Sequence, residues 1–110
     1  MSTPVTSPLP PQIEAHRAEI AQICARFGVR RLELFGSAVT GGFDPATSDL
    51  DFMVEFDPAR RHRPFDQYFG LKEALEALFG RSVDLVVEGA STNPYFLESV
   101  NKSRRLLYAA

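Results

Sequence analysis

A chain of 110 residues has the length of one domain, and a domain of this size buries roughly two-thirds of the surface that its unfolded form exposes. Hydrophobic residues make up 45% of the chain and charged residues 24%, which excludes a disordered or fibrous protein. The formal net charge of −2 argues against general nucleic-acid binding, because phosphate neutralisation requires a basic excess or a strong basic stripe.

The N-terminal segment MSTPVTSPLPPQ carries four of the eight prolines, set among serines and threonines. Residues 1–11 are therefore expected to be an extended or disordered lead to one domain over residues 12–110. The segment lacks the features of a secretory signal and no stretch has the length of a membrane span, so we expect a cytoplasmic protein with no membrane partner. The single cysteine, Cys24, excludes an internal disulfide and is expected to pack as a small apolar residue.

The first half of the chain predicts one helix followed by two strands. Apolar residues with helical spacing begin at Ile13, and Gly28 stands where that helix would end. The segment VRRLELFG alternates, with Leu32 and Leu34 on one face, and predicts a short strand that stops at Gly36. The turn-forming residues GGFDPATS then predict a loop. The next segment, DLDFMVEF, alternates between a polar face and a core face, and the core face consists of Leu50, Phe52, Val54 and Phe56.

The second half predicts a helix, a strand and a last helix after a polar linker, DPARRHRPFD. The first of these helices lies within QYFGLKEALEALFG and is capped by Gly80, and the strand SVDLVVE places Asp84 opposite an apolar inward face. Asn93 and Pro94 open the last helix, after which RRLLYAA either continues it or forms a short edge strand. This order of elements predicts an α/β or α+β sandwich.

Two aspartates, Asp49 and Asp51, stand on the polar face of the second predicted strand. Alternate strand positions project to the same side about 6 to 7 Å apart, and at an effective dielectric of about 20 their repulsion is on the order of 2 to 3 kcal/mol. Asp84 has the same relation to the third strand, so three carboxylates would converge if the two strands are neighbours. Oxygen ligands on a rigid sheet suit a hard cation such as Mg²⁺. An Asp-x-Asp pair alone is more often a solvated strand face, and that alternative remains open.

The pair Gly36-Ser37 at the end of the first strand favours the metal-site interpretation. Glycine lets the backbone approach a phosphate closely, and the Ser37 hydroxyl with the N–H groups after it can receive an anion. A lone Gly-Ser is more often a turn, but here a loop and then the carboxylate pair follow it. The sequence contains no G-x-x-x-x-G-K-[ST], which excludes a Walker-type phosphate loop.

Four segments together, LFGSAVTG, SDLDFMVEF, FGRSVDLVVE and NPYFLESVNKSRRLLYAA, resemble a minimal nucleotidyltransferase (MNT) domain of the polymerase-β superfamily. Such proteins are often paired with HEPN-domain partners in prokaryotic toxin-antitoxin modules, and the resemblance covers residues 12–110. It implies a polymerase-β-like fold with a small mixed sheet flanked by helices, Mg²⁺ as cofactor and ATP as substrate. It also implies transfer of AMP to an acceptor hydroxyl, in some members on the HEPN toxin, by a protein that acts as the antitoxin.

The resemblance assigns roles to five residues by their matching positions. Gly36 and Ser37 would hold the triphosphate. Asp49 and Asp51 would bind the metal, and Asp84 would be the third carboxylate of the metal site, which activates the acceptor hydroxyl. In-line displacement at the α-phosphate needs such an arrangement, because metal ions clamp the attacking and leaving oxygens while a carboxylate helps to take the acceptor's proton.

Two departures from the family pattern leave a second function open. Family members usually carry arginine shortly after the Gly-Ser pair, where this chain has Ala38, Val39 and Thr40, and the loop to the first aspartate is one residue longer. The chain would then be an antitoxin with a weakened site that neutralises its partner by binding alone. The basic cluster at residues 60–63 would replace the missing charge or be a solvated linker. Small-molecule adenylation is a third alternative, but 110 residues leave little room for an acceptor-binding domain. A homo-oligomer also stays open.

Overall fold

The computed structural model describes residues 11–36, 49–60, 63–90 and 92–110. Ser37, the predicted loop at residues 41–48 and the predicted lead up to residue 10 lie outside the described residues. Within those ranges the helices are α1 (Pro11–Ala15), α2 (Arg17–Arg26), α3 (Pro64–Phe79) and α4 (Pro94–Ser103), with a 3₁₀ turn at Pro58–Arg60. The strands are β1 (Val29–Phe35), β2 (Leu50–Phe56), β3 (Val83–Val87) and β4 (Arg105–Ala109).

The four strands form one mixed sheet in the order β3-β2-β1-β4. β1 is antiparallel to both β2 and β4, whereas β2 and β3 are parallel. A parallel pair needs a crossover connection, and α3 supplies it between β2 and β3. The prediction of a small mixed sheet flanked by helices is confirmed. The last segment is a strand at the edge of the sheet, which decides between the two predicted conformations of RRLLYAA.

One face of the sheet carries the main core, as the alternation of the strands predicts. Leu32 and Leu34 of β1 are fully buried together with Leu50, Phe52 and Val54 of β2. The helices α2 and α3 cover this face, with the following residues fully buried in it: Ile20, Cys24, Leu71 and Leu75. Burial raises the pKa of the Cys24 thiol to about 12, so this cysteine is an apolar core residue, as predicted, rather than a nucleophile.

The helices differ from prediction in two boundaries. The single N-terminal helix predicted from Ile13 is divided at His16, whose N–H donates to the Ile13 carbonyl over 3.2 Å and closes a turn between α1 and α2. The helix predicted within QYFGLKEALEALFG begins earlier, at Pro64, because proline at the first helical position has a helical φ and needs no hydrogen-bond partner. Its predicted end is confirmed, since Gly80 adopts the left-handed conformation with φ +65°.

The opposite face of the sheet is not simply polar. Phe35 of β1 and Met53 of β2 are buried there against Val100 of α4. The side chain of Asn93 accepts hydrogen bonds from the N–H groups of Tyr95 and Phe96, which confirms the predicted N-terminal cap of α4. Alternation alone assigned Met53 to the polar face, but α4 turns part of that face into a second, smaller core.

No helix in the described part of the chain is both long and apolar enough to cross a membrane.

Candidate functional site

The pairing of β2 with β3 brings two of the predicted site carboxylates together. In the parallel register Asp51 is the partner of Asp84, one residue inside the first residue of each strand. On its other side Asp51 is the register partner of Phe35, the last residue of β1. Register partners project to the same face, so Asp51 and Asp84 lie side by side on the face opposite the main core.

The electrostatics of this pair show that the two carboxyl groups interact. The pKa of Asp51 is raised to about 6, first because burial penalises its charge. The charge of Asp84 and a hydrogen bond with it are the next causes, and the charge of Asp49 adds to them. Asp84 is exposed, whereas Asp51 is partly buried between the strands that flank it. A cation placed at this pair would relieve the repulsion that raises the Asp51 pKa.

Asp49 has a different position from the other two aspartates. It is exposed and precedes the first residue of β2, so the pleat of the strand does not fix its direction. Its charge reaches Asp51, but no group of three His, Cys, Asp or Glu side chains within the described ranges is arranged to hold a metal ion. The structure thus brings together two of the three predicted metal ligands. Two carboxylates are a fitting set for Mg²⁺, which usually keeps several waters and takes further ligands from substrate phosphates.

Gly36 directly follows β1 and lies against the carboxylate pair. Its φ is +79°, a backbone conformation that residues other than glycine rarely adopt. A methyl group built on Gly36 would overlap the Asp51 Oδ2 atom and lie 3.3 Å from its Cγ. Only glycine therefore allows the end of β1 and the Asp51 carboxylate to approach this closely. Ser37, the other predicted phosphate ligand, lies outside the described residues.

A cavity of about 420 Å³ opens beside the carboxylate pair. The described residues that line it come from three strands and two helices: Phe35, Asp51, Tyr68, Lys72, Asp84, Leu85, Val86 and Phe96. The described part of its wall is therefore aromatic and aliphatic, and the charged groups there are the two aspartates and a single lysine. A concave site with apolar walls and a few polar groups is the usual form of a small-molecule site.

Lys72 and Tyr68 line the cavity and were not predicted from the sequence. Both project from α3, one helical turn apart, and the hydroxyl of Tyr68 donates to the carbonyl of Leu85 on the edge strand β3. Lys72 is partly buried and makes no ion pair with any of the described residues. The available signal was that Lys72 stands four residues after Tyr68, on the border of the apolar stripe of the helix. That spacing alone does not show which strand edge the helix covers.

The basic cluster at residues 60–63 does not supply positive charge to this cavity through its described members. Arg60 donates to the carbonyl of Ala25, and Arg63 pairs with Asp66 over 3.6 Å. Neither of them lines the cavity beside Asp51. Arg61 and His62 lie outside the described residues. For Arg60 and Arg63, the linker interpretation is the one that agrees with the structure.

The nucleotidyltransferase domain family is matched by residues 17–107 of this chain. The protein adenylyltransferase MntA of Thermococcus cleftensis is 38% identical over 78 residues, which are 71% of this chain and 72% of that protein. A solved structure assigned provisionally as a minimal nucleotidyltransferase is 35% identical, with a TM-score of 0.66, over 84% of this chain and 90% of that one.

A third similarity concerns the fold alone. The complex of a tri-AMPylated Shewanella oneidensis HEPN toxin with an MNT antitoxin contains a chain that is 17% identical, with a TM-score of 0.59, over 89% of this chain and 73% of that one. Together, the matched family, the mixed sheet and the Asp51–Asp84 pair beside Gly36 agree with the resemblance seen in the sequence. The chain belongs to the nucleotidyltransferase domain family, among the minimal nucleotidyltransferases.

Proposed function

We propose that this chain transfers AMP from ATP to a hydroxyl group of a partner protein, and that the partner is a HEPN toxin which the transfer silences. The observation that carries the proposal is the pairing of Asp51 with Asp84 beside Gly36, at the edge of a cavity whose described lining residues include Lys72. The similarity to an MntA protein adenylyltransferase supports a protein acceptor. The fold shared with an MNT antitoxin bound to an AMPylated HEPN toxin supports the choice of partner.

Asp51 and Asp84 are the residues that would hold Mg²⁺, with Asp49 as a further carboxylate at the start of β2. When bound, Mg²⁺ neutralises charge on the phosphates and favours departure of pyrophosphate. Asp51, whose pKa is raised to about 6, is ionised at neutral pH and so is ready for a cation. The partly buried Lys72 adds attraction for the phosphates from the side of α3.

The proposed reaction is an in-line displacement at the α-phosphorus of ATP. The acceptor oxygen forms a bond to this phosphorus while the bond from phosphorus to the bridging oxygen breaks, and pyrophosphate leaves with the electron pair. The proton of the acceptor hydroxyl passes to the carboxylate of Asp84. Asp84 suits this role because it is exposed beside the cavity, whereas Asp51 is partly buried between two strands.

The experiment that tests this function uses the full chain, a HEPN partner, ATP and Mg²⁺, with intact mass of the partner as the readout. We expect the partner to gain one or more AMP units, and Asp84→Asn to abolish the gain without weakening the complex. Asp66→Asn is the matched control, because Asp66 is an exposed aspartate of α3 that does not line the cavity. Loss of transfer in both variants would argue against a specific role for Asp84.

A second candidate function is neutralisation of the partner by binding alone. Two observations favour it: Ala38, Val39 and Thr40 stand where the family usually has arginine, and the described residues contain no complete group of three carboxylates around a metal position. In this case the wild-type chain would bind and silence the toxin with no change in the mass of the partner. The same mass measurement therefore distinguishes the enzyme from the binder.

A further inference from the structure

A buried serine of the last helix holds the residue that begins the predicted phosphate-binding turn. The Gly36 N–H donates to the Ser103 Oγ atom over 3.0 Å, across 67 positions of the chain. Ser103 is only 3% exposed. Its hydroxyl lies 3.4 Å from the carbonyl oxygens of Ser99 and Val100, so it can accept from Gly36 and donate within α4 at the same time.

This contact fixes the peptide plane at a point where the backbone is both unusual and crowded. Gly36 has a positive φ, and the gap between its Cα atom and the Asp51 carboxylate is too small to hold a methyl group. A partly buried N–H without a partner is unfavourable, so the bond to Ser103 favours this one orientation of Gly36 over others. Because its N–H is already used by Ser103, Gly36 contributes to a nucleotide site through its conformation and not as a phosphate donor.

Ser103 is held in place by contacts between the end of α4 and the sheet. The next residue, Arg104, donates to both carboxylate oxygens of Glu33 in β1 and to Glu88 after β3, the latter over 2.8 Å. One turn before Ser103, Val100 is 1% exposed and packs with Phe35 and Met53. The end of α4 is thus anchored on both sides of Ser103.

We infer that Ser103 is a positioning residue of the nucleotide site, which holds Gly36 against the Asp51 carboxylate and so keeps both residues in place for Mg²⁺-bound ATP. The inference rests on the proposed function for its ligand, and on the Ser103–Gly36 hydrogen bond for its geometry. It gives the last helix a role in the nucleotide site beyond that of Phe96, which lines the cavity. The ligand concerned is the triphosphate of Mg²⁺-bound ATP.

The test compares Ser103→Ala with Ser99→Ala, a matched change on the same helix at an exposed serine whose carbonyl is retained. Affinity for Mg²⁺ with a non-hydrolysable ATP analogue is measured by calorimetry, and exchange of the Gly36 amide by NMR. For loss of a neutral hydrogen bond we expect binding weaker by about three- to tenfold in Ser103→Ala and unchanged in Ser99→Ala. The Gly36 amide should exchange faster in Ser103→Ala only, while binding of the HEPN partner stays as in the wild type.

Equal nucleotide affinity in the two alanine variants would overturn the inference, and so would unchanged exchange at Gly36. If Ser103→Ala does not fold, Ser103→Cys replaces it, because cysteine has a similar volume and a weaker acceptor. Failure of the proposed function is a separate result, since it would appear as absence of ATP binding by the wild type while Gly36 exchange still depends on Ser103. A wild type that binds the analogue, with a serine variant that binds it equally well, contradicts the positioning role alone.

Discussion

Asp51 and Asp84 are register partners on neighbouring parallel strands, so their carboxyl groups lie side by side on the same face of the sheet. Burial of Asp51 and then the charge of Asp84 beside it raise the pKa of Asp51 to about 6 in the folded protein. When no cation is near the pair, the negative charge of Asp51 at neutral pH is therefore unfavourable, because burial and the charge of Asp84 both oppose it. This unfavourable charge should lower the free energy of unfolding at neutral and higher pH.

The first prediction concerns the pH dependence of stability in metal-free buffer. Because the folded pKa of Asp51 lies above its ordinary value of 3.8, the folded state binds this proton more tightly than the unfolded chain does. The resulting stabilisation is complete below the unfolded pKa and is lost as the pH rises through about 6. Asp51→Asn removes the titration, so its melting temperature should exceed that of the wild type at about pH 8, and the difference should shrink as the pH falls and close only below the unfolded pKa of 3.8.

Differential scanning fluorimetry over this pH range measures the effect, with Asp66→Asn as the control for an exposed aspartate of α3. A difference in melting temperature between wild type and Asp51→Asn that is the same at all pH values would contradict the prediction. Asp84→Asn should also reduce the pH dependence, because the charge of Asp84 is one cause of the raised Asp51 pKa.

The sequence is sufficient to predict the core faces of the strands and the Asp51–Asp84 side of the sheet, since side-chain direction in a strand follows from alternation. It did not predict the position of Asp49, because alternation applies only where the strand is formed and β2 begins at Leu50. The burial of Met53 was also missed, because it depends on where α4 packs. The positions of Lys72 and Ser103 beside the site likewise depend on how the helices pack on the sheet. No local pattern predicts a contact such as that between Gly36 and Ser103, which are 67 positions apart.

The second prediction is that divalent metal stabilises the folded protein, and does so more strongly when ATP is present. A ligand at 100 times its Kd adds about 2.7 kcal/mol to the free energy of unfolding. Since Asp51 and Asp84 lie together while Asp49 is exposed outside the strand, Asp51→Asn should lose more of this response than Asp49→Asn. Melting temperatures with Mg²⁺ or Mn²⁺, with and without ATP, give the measurement. A double variant, Asp49→Asn with Asp51→Asn, that responds like the wild type would show that the metal binds elsewhere.

The third prediction concerns Arg104, which joins Glu33 and Glu88 across β2. Glu33 is 5% exposed and its carboxylate receives two hydrogen bonds from Arg104, with Arg31 3.6 Å away as the other cation. Arg104→Met should lower the free energy of unfolding by about 1.5 to 3 kcal/mol, since it leaves a buried charge with a weaker partner. Urea unfolding measures the loss.

Arg30→Met is the control for the Arg104 variant, because Arg30 is an exposed arginine of β1. Adding Glu33→Gln to Arg104→Met should recover part of the loss, because the unpaired buried charge is then removed. A double variant that is less stable than Arg104→Met alone would contradict this explanation.

The fourth prediction concerns Lys72, the one cation among the described residues that line the cavity beside Asp51 and Asp84. If it attracts the phosphates, Lys72→Met should weaken binding of ATP by about ten- to a hundredfold, and binding of AMP much less, because a hydrogen bond to a charged group contributes about 1.5 to 3 kcal/mol. Lys72→Arg, which retains the charge, should bind ATP more tightly than the methionine variant does. Lys102→Met is the matched control, since Lys102 is an exposed lysine of α4 that pairs with Glu98 over 3.1 Å. Calorimetric titrations with ATP and AMP separate the two possible roles of Lys72: equal weakening for both nucleotides would indicate that it supports the cavity wall and not the triphosphate.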